Sequence, residues 1–249
     1  MHTHTYRVTV LLDVNDVQDV DDRAESRSYI VADLGSGQAV IIDAVIENVE
    51  RDVRLVKELG LTLVYAVETH IHADHITGAS LLKDRTGAQI VYGAGAASLV
   101  TGADLFLQDR QTLRFGKSEL RALATPGHTD GCASYLLPGA VFTGDTLFIR
   151  GNGRTDLQGG SAEKLFKSVR HTLFALPDDT IVYPGHDYNG RVSSTIGEEK
   201  RFNERLNLAI DKATFVDLMN KRHSPLPAKI DVAIPANMRA GRPAGEPQR

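Results

Sequence analysis

The sequence predicts an α/β fold in which sheets pack face to face under layers of helices. Short apolar, β-branched runs recur along the chain and are typical of buried strands. Apolar residues at helical spacing indicate helices that cover a sheet with one face. Blocks of strands followed by helices occur twice, without an obvious linker between them. We therefore expect residues 1–249 to form one domain, with an irregular tail from about Pro225.

The first half of the chain predicts one group of strands with its helices. Predicted strands span residues 6–12, 28–32, 38–42, 61–67 and 89–92, and predicted helices span 49–59 and 79–85. Gly35-Ser36-Gly37 closes a hairpin between the second and third strands. Gly60 and Gly87 follow the two helices, as glycine often does at a helix end. The acidic, turn-like stretch 13–27 is expected to be an exposed connection.

The second half predicts a further group of strands and helices. Predicted strands lie within residues 105–116, 119–124, 133–137, 140–143 and 181–183. Leu165, Val169 and Leu173 recur at the spacing of a helix that covers this group. Thr195 and Glu198 have the spacing of a capping box, which predicts a helix to about residue 206. A short helix is predicted around residues 215–219.

Composition and charge exclude several classes of partner. The formal net charge is −4 and no basic block occurs, so nucleic acid is not an expected partner. No apolar run approaches the length of a membrane span, and the N-terminus lacks the features of a secretory signal or a transit peptide. Cys132 is the single cysteine, so no internal disulfide can form. We therefore predict a cytoplasmic protein.

Potential metal ligands follow four of the predicted strands. His70, His72, Asp74 and His75 come directly after the strand at 61–67. His128, Asp145 and His186 follow three later strands, so five of the nine histidines lie at strand ends. Loops at one edge of the sheets commonly collect functional groups in layered α/β folds. Burying so many imidazoles and carboxylates without partners would be costly, and we therefore predict a metal site at this edge.

The segments around these ligands resemble a known family. They are residues 69–78 (THIHADHITG), 125–132 (TPGHTDGC), 143–158 (TGDTLFIRGNGRTDLQ), 183–188 (YPGHDY) and 235–239 (PANMR). Together they resemble the persulfide dioxygenases (sulfur dioxygenase, ethylmalonic-encephalopathy protein family) of the metallo-β-lactamase superfamily. The resemblance extends from about Ser28 to Gly241 in uninterrupted order. It implies an αββα sandwich with its metal site at one edge of the sheets.

The resemblance also implies a cofactor and a reaction. One Fe(II) per chain would be held by His70, His128 and Asp145, a two-histidine, one-carboxylate face that leaves positions open. The residues around that face, which would orient ligands or hold water, are His72, Asp74, His75 and His186. The implied reaction is the oxidation of glutathione persulfide by O2 to sulfite and glutathione.

Three side chains are candidates for binding the substrate. Arg154 could hold a substrate carboxylate through its guanidinium fork, or form a structural salt bridge with Asp156. Tyr188 could donate its hydroxyl to the glutathione backbone, or pack at an interface. Arg239 could also meet the substrate, although a surface charge near the tail is the preferred interpretation.

Two other classes of function stay open. The same seven ligand positions bind two metals in hydrolases of the glyoxalase II type, so the ligands alone do not decide between one iron and two zinc ions. The segments Ile76–Ala79 and Arg154–Gln158 favour the dioxygenase. A non-catalytic metal-binding protein would be expected to have lost ligand positions, and none is lost. The resemblance suggests a homodimer, and any sulfurtransferase partner would be a separate protein.

Overall fold

A six-stranded sheet formed by the first half of the chain lies at the centre of the fold in the computed structural model, which describes residues 5–14 and 25–242. Its strands are β1 (Tyr6–Val14), β2 (Glu25–Asp33), β3 (Gln38–Ile42), β4 (Thr62–Glu68), β5 (Gln89–Gly93) and β6 (Leu105–Leu107). The strands lie side by side in chain order. β1, β2 and β3 pair antiparallel, and β3 to β6 pair parallel.

A second six-stranded sheet comes from the second half of the chain. Its strands are β7 (Thr112–Phe115), β8 (Ser118–Ala124), β9 (Ala133–Leu137), β10 (Ala140–Gly144), β11 (Ile181–Pro184) and β12 (Ser194–Thr195). They also lie in chain order across the sheet. Only β10 and β11 pair parallel within this sheet, among the described residues.

Six α-helices are described outside the two sheets. They are α1 (Val49–Glu58), α2 (Ala79–Thr86), α3 (Ala162–Lys167), α4 (Ile196–Phe202), α5 (Lys212–Asn220) and α6 (Ile230–Asn237). A π-helical stretch from Ser168 to Leu173 continues α3. None of the helices described here has the length and apolarity needed to cross a bilayer.

The alternation of side chains along the strands builds three apolar layers. Val40 and Ile42 of β3 point into a cluster shared by the two sheets, whereas Ala39 and Ile41 point into a cluster that includes residues of α1 and α2. Val141 of β10 belongs to a third cluster together with residues of α3, α4 and α5. Because side chains of a strand alternate between faces, each sheet buries both of its faces. The predicted αββα sandwich is confirmed.

The predicted exposed connection at residues 13–27 is wrong at both of its ends, and residues 15–24 lie outside the described part. β1 extends to Val14, and β2 already begins at Glu25. Asp13 is fully buried and accepts hydrogen bonds from Asn48 Nδ2 at 2.9 Å and Arg51 Nη2 at 2.6 Å. A carboxylate can be buried at low cost when such partners are present. Partners this distant in sequence are not visible in a hydrophobicity pattern.

Two predicted elements are shorter in the structure. The strand expected within residues 105–116 is divided into β6 and β7 by a turn in which the Gln111 amide N–H donates to the Gln108 carbonyl. The helix expected to reach about residue 206 ends at Phe202. Asn203 has an extended backbone, and its Oδ1 accepts the amide N–H of Leu206 at 3.0 Å. This local side-chain hydrogen bond stabilises a turn in place of further helix.

The irregular tail predicted from about Pro225 contains a helix, α6. Ala233 is fully buried on this helix, and Ile234 packs against the cluster outside the first sheet. Pro235 lies inside α6 and falls in the sequence segment that suggested irregular structure. Burial of one helix face outweighs the helix-breaking tendency of that proline. The prediction that residues 1–249 form one domain stays a prediction.

Asp33, at the end of β2, joins turns that belong to different sheets. Its carboxylate accepts the Ser36 amide at 2.8 Å and the Ser36 hydroxyl at 2.7 Å in the β2–β3 turn. It also accepts the Ser118 hydroxyl at 2.8 Å and the Lys117 amide at 3.2 Å beside β8. Burial acts to raise the pKa of Asp33, but these hydrogen bonds lower it from 3.8 to about 2.

We expect Asp33→Ala to lower the free energy of unfolding by about 3 kcal/mol, because several donors lose a charged acceptor. The folded-state pKa lies below the unfolded one, so the contribution of Asp33 is fully present above about pH 3.8 and is lost as the pH falls through about 2. Urea unfolding measured between pH 2 and 7 checks both points. If the free energy of unfolding of Asp33→Asn decreased at acidic pH as steeply as that of the wild type, the ionisation of Asp33 would not explain the acid dependence.

Candidate metal centre

The predicted ligands converge beyond the carboxyl ends of β4, β8, β10 and β11. Their side chains are buried, apart from Asp74, which is intermediate in exposure. One ligand atom each from His70, His128 and Asp145 lies within 4.8 Å of the other two. The structure therefore brings together the three residues that were predicted to hold the metal.

His70 is oriented through the residue before it in the sequence. The Thr69 hydroxyl lies 2.8 Å from Asp43 Oδ2, to which it can donate its proton, and 2.9 Å from His70 Nδ1. A hydroxyl that donates to a carboxylate can accept from an imidazole N–H, so His70 carries its proton on Nδ1. Its Nε2 then keeps the lone pair that a metal requires.

His128 is oriented in the same way by a backbone carbonyl. Its Nδ1 lies 2.8 Å from the carbonyl oxygen of Arg154, which can only accept a hydrogen bond. The proton is therefore on Nδ1 and the lone pair is on Nε2. The nearby Gly153 amide donates to the Asp145 carbonyl at 3.0 Å. The loop that contains Gly153 and Arg154 therefore fixes the backbone of Asp145 and the ring of His128.

The distances around Asp145 fit a shared cation better than hydrogen bonds. His128 Nε2 lies 3.6 Å from Asp145 Oδ2, and His186 Nε2 lies 3.6 Å from Asp145 Oδ1. Both exceed ordinary hydrogen-bond distances. Asp145 Oδ1 is buried without a hydrogen-bond partner. Ligand atoms that each lie about 2.1 Å from one ion have separations of this size. The residues therefore fit a metal.

A second group of potential ligands lies beside the first. Ligand atoms of His72, Asp74 and His75 lie within 4.8 Å of one another. His186 Nε2 lies 3.6 Å from Asp74 Oδ2, the same distance as from Asp145. The two groups thus meet at His186. The sequence predicted that these four residues surround the metal, and their side chains lie beside the group formed by His70, His128 and Asp145.

Two buried carboxylates hold His72. Its Nε2 lies 3.2 Å from Asp43 Oδ1 and 3.3 Å from Glu68 Oε2. Burial acts to lower the pKa of His72, but the charges and hydrogen bonds of Asp43 and Glu68 raise it well above its ordinary value. Thr77 donates its hydroxyl to Glu68 at 2.6 Å. The Nε2 side of the His72 ring is therefore committed to these carboxylates, and its Nδ1 is buried without a partner.

Other pKa shifts favour metal binding at neutral pH. Burial, followed by the nearby imidazoles of His72 and His128, lowers the pKa of His70 well below 6.5. A neutral imidazole is the form that binds metal. Burial acts to raise the pKa of Asp74, but the charges of His75 and His186 lower it well below 3.8. Asp74 is therefore an anion over the physiological range.

Comparisons with known proteins identify the family. The family model described as "Metallo-beta-lactamase superfamily" matches residues 22–186. Human "Persulfide dioxygenase ETHE1, mitochondrial" is 47% identical over 219 residues, which cover 86% of this chain and 84% of that protein. The chain belongs to the persulfide dioxygenase family. The predicted family and enzyme class are confirmed, whereas the human relative's mitochondrial name leaves the cytoplasmic location a prediction.

Solved structures place this persulfide dioxygenase family member among similar folds. The crystal structure of ETHE1 from Myxococcus xanthus matches with a TM-score of 0.88 and 42% identity, over 95% of this chain and 100% of that one. The hydroxyacylglutathione hydrolase of Brucella anthropi is also related, with 37% identity over 69% of this chain and 63% of that protein. Hydrolases are therefore recognisable relatives of this family member.

The predicted substrate-binding residues of this family member differ in their surroundings. Arg154 makes the structural salt bridge that we considered as its alternative, with Nε and Nη2 at 2.7 and 2.8 Å from the Asp156 carboxylate. Arg239 donates to the Arg242 carbonyl at 3.2 Å. Tyr188 is 57% exposed, and its ring stacks at 8° to His186 with centroids 6.2 Å apart. Of the three residues, Tyr188 is adjacent to the metal ligands and open to solvent.

Several functional residues were missed in the sequence. Asp43 directly follows β3, and a carboxylate after a buried strand is the same signal that identified Asp145. Asn237 was noticed only as part of a family motif, because its contacts lie about 160 residues away in the chain.

Cys132 is a buried free thiol and not a nucleophile. Its Sγ lies 3.2 Å from both the amide nitrogen and the hydroxyl oxygen of Thr129. Burial raises the pKa of the Cys132 thiol to about 12. Because the thiolate is the nucleophilic form, this thiol is unreactive at neutral pH.

Proposed function

We propose that this chain oxidises glutathione persulfide with O2 at a mononuclear Fe(II) site held by His70, His128 and Asp145. The observation that carries the proposal is the group itself: two imidazoles with Nδ1 tied to protein oxygens, and a carboxylate with a partnerless buried oxygen. The identity of 47% to human persulfide dioxygenase supports the choice of reaction. The persulfide anion, O2 and water give glutathione and hydrogen sulfite.

The proposed ligand set suits Fe(II). Two imidazoles and one carboxylate form a face that leaves several positions open for small molecules. When bound, Fe(II) supplies the redox chemistry for O2 and a cationic position for the terminal sulfur of the persulfide. The outer sulfur is oxidised, both atoms of O2 are reduced onto it, and water cleaves the sulfur–sulfur bond to release glutathione. The chain's own residues keep the ligands oriented and the substrate in place.

The rim of the site orients the ligands and provides a stacking surface. We propose that His72, Asp74, His75 and His186 stay outside the coordination of the iron. Phe148 lies edge-on to His186, with centroids 5.8 Å apart, and edge-on to Tyr188 at 6.3 Å. These rings form a wall that leads from the metal ligands to solvent. We propose that the Tyr188 hydroxyl donates a hydrogen bond to the glutathione backbone.

Arg222 lies within electrostatic reach of Tyr188 and of a second arginine, Arg205, and we propose that the two arginines form a cationic wall for the carboxylates of glutathione. Arg222 is half-buried, and it donates to the Asn152 carbonyl at 3.3 Å and the Ser224 hydroxyl at 3.2 Å. These hydrogen-bond partners are neutral, and the carboxylate within electrostatic reach of Arg222, that of Asp156, is already paired with Arg154. Burial, followed by the charge of Arg205, lowers the pKa of Arg222 from 12.5, and Tyr188 also lies within electrostatic reach. An anionic substrate would relieve the repulsion between the two arginines.

Arg222→Ala is expected to raise KM for glutathione persulfide about tenfold, since losing one charge-assisted contact to a carboxylate costs about 1.4 kcal/mol. We expect kcat and iron content to stay near wild type. Steady-state kinetics with substrate that was prepared anaerobically measure KM and kcat. Arg201→Ala provides the control, because this arginine is exposed and its guanidinium lies over the Phe202 ring. An unchanged KM in Arg222→Ala would remove Arg222 from the substrate wall.

A dinuclear hydrolase is the second candidate. The group of His72, Asp74 and His75 beside the first group favours it, because together with His186 they could hold another ion. The relation to hydroxyacylglutathione hydrolase is consistent with this alternative. Against it, the Asp43 and Glu68 carboxylates beside His72 Nε2 raise the pKa of His72 well above its ordinary value, which favours the imidazolium form that does not bind metal. We therefore favour one iron.

Parallel assays distinguish the two candidates. Protein purified without oxygen and analysed for metal is supplied with glutathione persulfide in an oxygen electrode, and with S-lactoylglutathione in a separate hydrolysis assay. The dioxygenase proposal predicts O2 uptake with sulfite formation and no thioester cleavage. Thioester cleavage without O2 uptake would establish the hydrolase instead.

Partners of this enzyme follow from its proposed substrate. Glutathione persulfide carries a sulfane sulfur, so we propose that a separate sulfurtransferase supplies it. We also propose a homodimer, as the family resemblance suggested. The net charge of −4 is consistent with the absence of nucleic acid among its partners.

A further inference from the structure

The C-terminal helix α6 reaches the metal-binding loop through one amide side chain. Asn237 is fully buried at the end of α6. Its Nδ2 donates to the carbonyls of His72 and His75, both at 2.8 Å. Its Oδ1 accepts the amide of Thr77 at 2.9 Å. One side chain therefore satisfies three backbone groups of the loop that contains the ligands.

These three hydrogen bonds fix the shape of the loop. An asparagine amide offers two donors and one acceptor group, and Asn237 uses both kinds in one buried position. The carbonyls of His72 and His75 lie on either side of Asp74, so the amide spans the turn between them. Without it, two buried carbonyls and one buried N–H would need other partners or lose free energy.

The backbone after α6 is shaped so that Asn237 stays in place. Ala240 and Gly241 have φ angles of +53° and +88°. A Cβ atom on Gly241 would lie 2.1 Å from the Thr77 carbonyl oxygen, so only glycine fits there. Both the amide of Ser80, at 3.1 Å, and its hydroxyl donate to the Ala240 carbonyl, which ties the segment to α2. The C-terminal segment therefore has a second attachment that does not involve the metal-binding loop.

From this arrangement we propose that Asn237 is a positioning residue for the metal centre. Its hydrogen bonds set the distance between His72 and His75. Because His70 lies at the start of the same loop, they also set how closely His70 approaches the ion. The C-terminal segment therefore helps to shape the metal site, although none of its side chains is proposed as a metal ligand. The proposal concerns metal binding and holds for either a dioxygenase or a hydrolase.

The test compares metal affinity in variants that cut different attachments. Asn237→Asp keeps the shape but loses both donors and faces two carbonyls, so we expect at least about a tenfold loss of affinity for Fe(II) or Co(II). Ser80→Ala weakens the attachment to α2 and should keep affinity within about twofold. Anaerobic chelator competition measures affinity, and the visible spectrum of the Co(II) form reports ligand geometry. Thermal unfolding of both metal-free variants measures the purely structural cost.

Wild-type affinity and an unchanged Co(II) spectrum in Asn237→Asp would overturn the proposal. An equal loss of affinity in Ser80→Ala would also overturn it, because anchoring of the segment alone would then explain the effect. If Asn237→Asp does not fold, Asn237→Ala gives the same comparison. In the wild-type chain, the Thr77 amide should exchange hydrogen as slowly as the core of β4, and fast exchange would contradict the proposal.

Discussion

Asp145→Ala is expected to abolish both iron binding and turnover. Asp145 is the anionic member of the ligand group, and its two oxygens face His128 and His186 at 3.6 Å. Removing it leaves only neutral imidazoles to hold a dication, so we expect affinity for Fe(II) to fall by about 100-fold or more. Metal analysis after anaerobic reconstitution, combined with O2 uptake, measures both losses.

A matched control separates loss of a ligand from loss of any nearby charge. Asp130 lies two residues after His128, and its carboxylate pairs with Lys164 at 2.5 Å on the surface. Asp130→Ala should retain iron and activity near wild type. If Asp145→Ala kept full iron occupancy, the proposed ligand set would be wrong.

Gly185→Ala is expected to remove the metal by crowding a ligand. A Cβ atom at this position would lie 2.5 Å from Asp145 Oδ1 and 3.1 Å from the carbonyl carbon of Gly144. Gly185 cannot move away easily, since its amide donates to the Gly144 carbonyl and its own carbonyl accepts the Arg27 amide, both at 2.9 Å. We expect the Asp145 carboxylate to rotate, with at least about tenfold weaker metal binding and about 2 kcal/mol of destabilisation.

Gly151→Ala is the control for that substitution. Gly151 lies near the same site, but a Cβ there would meet its nearest neighbours at 3.9 Å, an ordinary contact. Iron content and urea unfolding of the two variants should therefore differ clearly. Wild-type iron content in Gly185→Ala would show that Asp145 tolerates the displacement, and would contradict the tight packing proposed around this ligand.

Much of the metal centre could be predicted because strands and ligands follow one simple rule. β4, β10 and β11 are apolar runs that a hydrophobicity pattern detects, and each is followed within two residues by a ligand. The carboxyl ends of these strands meet at one edge, so residues far apart in sequence become neighbours. The same rule would have identified Asp43 after β3, had single carboxylates been weighed as closely as histidines.

The rest depends on long-range polar pairing, which leaves no periodic signal. Asp13 is buried because Asn48 and Arg51 lie beside it. The hydrophobicity pattern does not show these partners, and the acidic stretch that contains Asp13 was therefore predicted to be exposed. Arg154 was proposed for substrate binding from its residue type, but its fork is occupied by Asp156. Asn237 reaches the metal-binding loop only because α6 packs on the first sheet. Such contacts can be recognised only after the fold has placed them.

The most direct test of the central claim is an anaerobic titration of metal-free protein with Fe(II), in which O2 uptake with glutathione persulfide is measured at each ratio. The mononuclear dioxygenase predicts that uptake rises linearly and reaches its maximum at about one iron per chain, with about one sulfite formed per O2 consumed. A maximum at about two metals per chain, or metal-loaded protein that consumes no O2 but cleaves S-lactoylglutathione, would contradict it.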